Sequence, residues 1–199
     1  MAPDGATTTA APTTTAPLPT TPTAEPPPTR PPHTLIVLGP SGLGVADFGD
    51  EPDAAVAAVT SSLGPPSNDS GWTPNPIIDD AEYRTVHWGE DLSLSFGDDE
   101  TPYGAARIRH FQSYDYSGSP PGLTTVEGIG VGDSVGLLLG AYGTGLVLVQ
   151  DTIDDSYRYQ VHPGLTSDFL CFRVGIEAPN PGTTIDGITA GYACTYGGE

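Results

Sequence analysis

The sequence has no lysine, and its six basic residues are all arginines, against 25 acidic residues. The formal net charge of −19 repels nucleic-acid phosphates and anionic membrane surfaces, so we expect no nucleic-acid partner. No apolar run approaches the roughly 18 residues that a membrane-spanning helix requires, so we expect no membrane span.

Patterns that hold metal ions or cofactors are also missing. The four histidines are isolated from one another and from the cysteines, which excludes the usual zinc spacings. The acidic clusters lie in turn-like stretches, and none follows the calcium-loop pattern. Solvated turns explain these clusters better than adventitious calcium at residues 98–100. The sequence therefore predicts no cofactor and no metal site.

Cysteine is scarce, since Cys171 and Cys194 are the only two in the chain. In a chain with the composition of an exported protein, an even count favours a disulfide, which would contribute about 3 kcal/mol. Two buried free thiols are the alternative. No signal peptide follows Met1, so we expect that an export signal has been removed and that the protein is extracellular or at the cell surface.

Residues 1–33 are a low-complexity run of threonine, proline and alanine. Such a segment has almost no apolar surface to bury, and proline removes backbone donors, so we predict a disordered or extended stalk. A stalk of this kind holds a domain away from a cell surface, as in surface lipoproteins, and a plain linker is the alternative. The foldable part of the chain is predicted to begin at residue 34.

Two glycine-rich segments, residues 42–64 and 128–143, resemble each other and organise the rest of the chain. Each contains Gly–apolar–Gly–Val, then Gly–Asp, then an apolar stretch closed by glycine. Each apolar stretch predicts a short helix, capped at Asp50 in the first segment and at Ser134 in the second. The domain-sized spacing predicts two related modules, 34–116 and 123–199, joined by a hinge at 117–122.

Alternating apolar and polar residues predict strands after each helix. In the first module, residues 83–88 and 92–96 form a hairpin around a turn at 89–91, and residues 105–116 form a longer strand. In the second module the predicted strands are 146–149, 157–161, 169–174 and 185–192. The predicted fold class is therefore α+β, with two tandem repeats, each a short helix packed on about three to four antiparallel strands.

Aromatic side chains on these strands predict a binding surface. In the first hairpin Val86 and Trp88 share the inward parity, which leaves Tyr83 and His87 on the open face. Exposed aromatic and arginine side chains are typical of protein-binding surfaces, and ordinary core packing is the alternative for part of them. The predicted binding residues are Tyr83, His87, Phe111, Tyr157, Tyr159, Phe169 and Arg173.

One catalytic pattern is present. Residues 132–136 match Gly-x-Ser-x-Gly, which makes Ser134 a candidate nucleophile of a serine hydrolase. The equivalent position of the first segment is Glu51, the chain is rich in predicted hairpins, and the downstream histidine, His162, has no obvious orienting acid. A helix-cap role for Ser134 explains the pattern better, so we predict that the protein is not an enzyme.

The paired segments 42–64 and 128–143, with the late cysteine pair, resemble the β-lactamase inhibitory protein family. They are also similar to the one-module small lipoproteins of outer-membrane assembly, and the stalk looks like that of exported actinobacterial proteins. The resemblance covers about residues 34–199 and implies a concave sheet face that grips a partner protein through aromatic side chains. Because the first module has no cysteine pair, a β-lactamase is not carried over as the target.

These observations together predict a secreted or surface-tethered, non-enzymatic protein-binding domain, inhibitor-like in its use of an exposed aromatic sheet face. The expected partner is an extracellular or envelope protein. Two alternatives stay open at this point: a serine hydrolase that uses Ser134, and a structural envelope protein without a discrete ligand.

Overall fold

The computed structural model describes residues 36–76, 78, 80–98, 108–118, 122–151, 155–161 and 169–195. These residues all belong to one unit of the chain, Pro32–Glu199. Several predictions fall outside them: the stalk at 1–33, His162, part of the acidic cluster at 98–100, and residues 119–121 of the hinge.

Helix α1, Pro52–Leu63, forms where the first apolar stretch predicts it. Proline is favourable at its start, where a missing N–H breaks no helical hydrogen bond. The helix ends at Gly64, whose φ of 88° suits glycine. The cap lies one residue later than predicted, because the carboxylate of Glu51 rather than that of Asp50 accepts the Ala54 N–H.

Helix α2, Val135–Tyr142, lies at the second predicted position and ends at Gly143. A single helical turn, α3, Tyr192–Thr195, follows the last strand. None of the described helices combines the length and apolarity needed to cross a membrane.

The described residues form nine strands in one sheet of antiparallel neighbours, with β2 beside β3 and the others in the order β1–β3–β4–β5–β9–β8–β7–β6. The strands are β1 (Asn68–Asp69), β2 (Thr73–Pro74), β3 (Glu82–Trp88), β4 (Leu92–Gly97), β5 (His110–Tyr116), β6 (Leu146–Gln150), β7 (Tyr157–Val161), β8 (Leu170–Arg173) and β9 (Gly187–Gly191). The predicted hairpin is confirmed as β3–β4, and the later strands overlap their predicted ranges.

The predicted fold class is wrong. The described residues form a mostly β structure, a single nine-stranded sheet with the short helices α1 and α2 and the single turn α3, rather than two tandem repeats of a helix on its own strands. The reason is the pairing of β5 with β9, in which Tyr114 lies opposite Ala190 and Tyr116 opposite Ile188. This long-range ladder makes one sheet from strands that the sequence pattern assigned to separate modules.

One face of the sheet carries the hydrophobic core. On β4, Leu92, Leu94 and Phe96 are fully buried, whereas the alternating serines are partly exposed, as the pattern predicts. Buried residues of α1 and α2 belong to the same core cluster. The indole N–H of Trp88 donates to the Gly64 carbonyl at 2.9 Å, which ties the end of α1 to β3.

The opposite face, here called the polar face, carries a row of side chains in register across five strands. The row consists of His87, Ser93, Asp115, Thr189 and Cys171. Turn α3 lies on this face, because Cys171 forms a disulfide with Cys194. The predicted disulfide is therefore confirmed.

Candidate binding pocket on the polar face

A pocket of about 270 Å³ opens on the polar face beside the β3–β4 turn. Every residue that lines it has a polar or charged side chain. They are His87, Glu90, Asp91, Ser93, Asp115, Ser117 and Arg173.

Strand alternation places three of these side chains. His87 on β3, Ser93 on β4 and Asp115 on β5 each lie between two neighbours that are at most 3% exposed and belong to the core. Because successive side chains point to opposite faces, burial of the neighbours directs these three outward. Ser93 lies opposite both His87 and Asp115 in the ladder, so the three are adjacent across the sheet.

Arg173 reaches the pocket from β8 by crossing β9. Its Nη1 lies 3.0 Å from Oδ2 of Asp115, and its Nε lies 3.6 Å from Oδ1 of Asp186. The residue of β9 opposite Arg173 is Gly187. A Cβ at this position would overlap the guanidinium group, so the absence of a side chain provides the space in which Arg173 lies.

Negative charge predominates in the pocket. Among the lining residues, Glu90, Asp91 and Asp115 contribute carboxyl groups, whereas Arg173 contributes the one permanent positive charge. Burial raises the pKa of Asp115 above its usual value, and the carboxylates of Asp186 and Asp91 raise it further, while Arg173 opposes them. Since two carboxyl groups flank Arg173, its charge is largely compensated within the site.

Two of the residues predicted to bind a partner, His87 and Arg173, meet in this pocket. Tyr83 is 37% exposed, and Phe169 is half-buried just before β8; neither lines the pocket.

The other three predicted residues lie on the core side. Phe111 is fully buried, with its ring 5.0 Å from that of Phe48 and 5.5 Å from that of Phe96. Tyr159 is 9% exposed, and Tyr157 packs against the core cluster. These rings therefore support the core of the described structure rather than an exposed aromatic surface.

The sequence interpretation missed the acidic and hydroxyl groups of the pocket. Ser93 alternates with Leu92 and Leu94 in the sequence, which directs it away from the core, but a serine carries no aromatic signal of a binding surface. Asp115 alternates with two tyrosines of β5 that are each 1% exposed. That alternation was the signal that could have placed Asp115 beside Ser93.

Ser134 has the helix-cap role that the sequence predicts. Its Oγ accepts the backbone N–H of Leu137 at 3.3 Å, at the start of α2. The base that a hydrolase would need, His162, lies outside the described residues.

Within the described part of the chain, no group of three or more histidine, cysteine, aspartate or glutamate side chains is arranged to hold a metal ion. Compared with protein-family models, with curated proteins and with solved structures, the chain shows no significant match in any of the three.

Proposed function

We propose that this protein is a secreted or cell-surface-tethered, non-enzymatic binding protein that holds an extracellular or envelope partner protein at the polar-face pocket. The observation that carries the proposal is the pocket itself, a concave cluster of charged and hydroxyl groups that opens on the polar face beside the β3–β4 turn.

The way the pocket is built supports binding. Its strand residues are held by the β3–β4–β5 ladder and by core side chains on the other face, so little conformational entropy is lost when a partner docks. Its volume of about 270 Å³ is below the roughly 300–1,000 Å³ typical of small-molecule sites. That size favours a side chain presented by a larger partner.

The disulfide supports the extracellular part of the proposal. Cys171 and Cys194 are bonded, and stable disulfides are found mainly in proteins that work in oxidising compartments. Protein recognition by a sheet face is also what the resemblance to the inhibitory proteins implies. The surface proposed here is polar, however, whereas that resemblance implied an aromatic one.

The test is affinity capture from the secreted and envelope fractions of the native organism, with the full chain as bait. Three baits are compared: the unaltered protein, His87→Ala, and His110→Ala as a matched control. Like His87 on β3, His110 lies on a strand of the sheet, β5, but it does not line the pocket. We expect a stoichiometric partner with the first and third baits and its loss with His87→Ala, followed by the same ranking with purified components.

Retention of the partner by all three baits would place its binding site elsewhere on the surface. Capture of no protein by any bait would remove the support for a binding role and favour the structural alternative.

A further inference from the structure

The composition of the pocket defines the chemistry of what it can receive. Glu90 and Asp91 stand on the turn side, whereas Asp115 and Arg173 form an ion pair on the strand side. Because Arg173 is compensated by Asp115 and Asp186, the turn side is left with an excess of negative charge. An anionic group would meet these carboxylates, while a cationic group would be attracted by them.

The shape of the pocket is fixed by the Arg173 side chain. The guanidinium lies over Gly187 and is held from two sides by carboxyl groups, so it forms a wall of the pocket that cannot easily collapse into it. The hydroxyl groups of Ser93 and Ser117 complete the lining and can accept hydrogen bonds. Since the described carboxyl groups are not arranged as metal ligands, an organic cation fits this lining better than a metal ion.

From this arrangement we infer that the pocket receives one basic side chain of the partner, the ammonium group of a lysine or the guanidinium group of an arginine. Carboxylates of Glu90 and Asp91 bind the cation, and hydroxyl oxygens accept its remaining N–H groups. The inference rests on the proposed function, of which it specifies the partner chemistry. The net charge of −19 adds a long-range attraction for a basic partner.

The inference can be tested without the partner. The probe is N-acetyl-arginine amide, titrated into the ¹⁵N-labelled full chain, with N-acetyl-citrulline amide as a neutral probe of the same shape. We expect saturable chemical-shift changes centred on the backbone amides of residues 90–93 and 115–117. The citrulline probe should bind at least about fivefold more weakly, since it lacks the charge.

A matched pair of variants localises the effect. Asp91→Asn removes one charge, and the fold should tolerate it because the hydrogen bonds from the backbone and side chain of Ser117 go to the carbonyl oxygen of Asp91, not to its carboxylate. Glu177→Gln removes one exposed charge outside the pocket. We expect roughly fivefold weaker arginine binding for Asp91→Asn and no change for Glu177→Gln.

Equal binding of the two probes, equal weakening by the two variants, or the absence of saturable binding would each overturn the inference. The proposed function is tested independently of this inference. It is contradicted when the unaltered chain and His87→Ala capture the same partner equally well. If His87→Ala loses the partner but the arginine probe binds no better than the citrulline probe, the proposed binding role is retained. The inference that the pocket receives a basic side chain is then rejected.

Discussion

Around Gly49–Asp50 and around Gly132–Asp133 the backbone makes equivalent pairs of hydrogen bonds. The partner of the first region is Phe111 on β5, and the partner of the second is Ile185, which lies just before β9. Both glycines have a φ of 94°. The Gly49 N–H donates to the Phe111 carbonyl, whose own N–H donates to the carbonyl of Asp50, both at 2.9 Å. The second region makes the equivalent pair with Ile185, at 2.8 and 2.9 Å.

The side chains of the two aspartates also accept equivalent hydrogen bonds. Asp50 accepts the backbone N–H of Asp47, and Asp133 accepts that of Gly130, three residues earlier in each case. The segments diverge on either side of this turn. The first leads into a helix of 12 residues capped by a glutamate, and the second into a helix of 8 residues capped by a serine.

The comparison shows what the shared sequence pattern specifies. It encodes a turn that hydrogen-bonds the start of a helix to β5 or to the segment just before β9, and it does not encode a separate module. The Gly–Asp pairs have the same backbone conformation and equivalent hydrogen bonds in the two regions. The first glycines of the two segments, Gly42 and Gly128, have different surroundings. Gly42 is crowded by backbone atoms, but a Cβ added at Gly128 would meet no atom of the described residues within 4 Å.

The largest expected difference between the two regions lies at these preceding glycines. In Gly42→Ala the new Cβ would overlap the Ala46 carbonyl oxygen, so the backbone must move, and we expect a loss of about 3 kcal/mol or more. Gly128→Ala meets open space at a φ of 82° and should cost only the roughly 1–2 kcal/mol of left-handed strain. Urea unfolding with the disulfide intact measures both. Equal losses would show that crowding at Gly42 is relieved without cost.

An intermediate effect is expected at the shared turn itself. Gly49→Ala and Gly132→Ala both meet open space at the same φ of 94°. We therefore expect each to lower the free energy of unfolding by about 1–2 kcal/mol, and the two losses to agree within about 0.5 kcal/mol. The same urea titration compares them. A much larger loss at one position would break the equivalence of the two turns.

The smallest effects are expected at the caps. Ser134→Ala removes the acceptor of the Leu137 N–H and should cost about 1 kcal/mol, independent of salt. Glu51→Ala removes both an acceptor and a negative charge at a helix N-terminus, so part of a similar loss should disappear as salt screens the charge. Unfolding at low and high ionic strength distinguishes them. An equal salt dependence of the two losses would contradict the assignment of a charge effect to Glu51.

Local parts of the fold could be predicted because neighbouring residues determine them. Pro52 and Gly64 bound α1, and the alternation of β4 sends its leucines and Phe96 to the core. The pairing of β5 with β9 could not be predicted in this way. It depends on the fit of strands far apart in the sequence, and no local periodicity records that fit.

As with the fold, the direction of single side chains in the site could be predicted from their neighbours in the sequence. The outward direction of His87 follows from the buried residues on either side of it, as that of Arg173 follows from Phe172 and Val174. Tyr157 and Tyr159 of β7 were predicted to be exposed, but both faces of this strand are covered. Arg158 is 7% exposed on one side and Tyr159 is 9% exposed on the other, so residue type did not reveal which side chain was accessible.

The pairing of β5 with β9 also has a consequence for how quickly the protein folds. The ladder joins Tyr114 to Ala190, so the middle of the sheet closes only after a long loop has lost its conformational freedom. Proteins dominated by such distant pairings fold on a timescale of roughly milliseconds to seconds. Until β9 is in place, β5 and β8 present unpaired edges, and this interval is when the chain is most exposed to association with other unfolded chains.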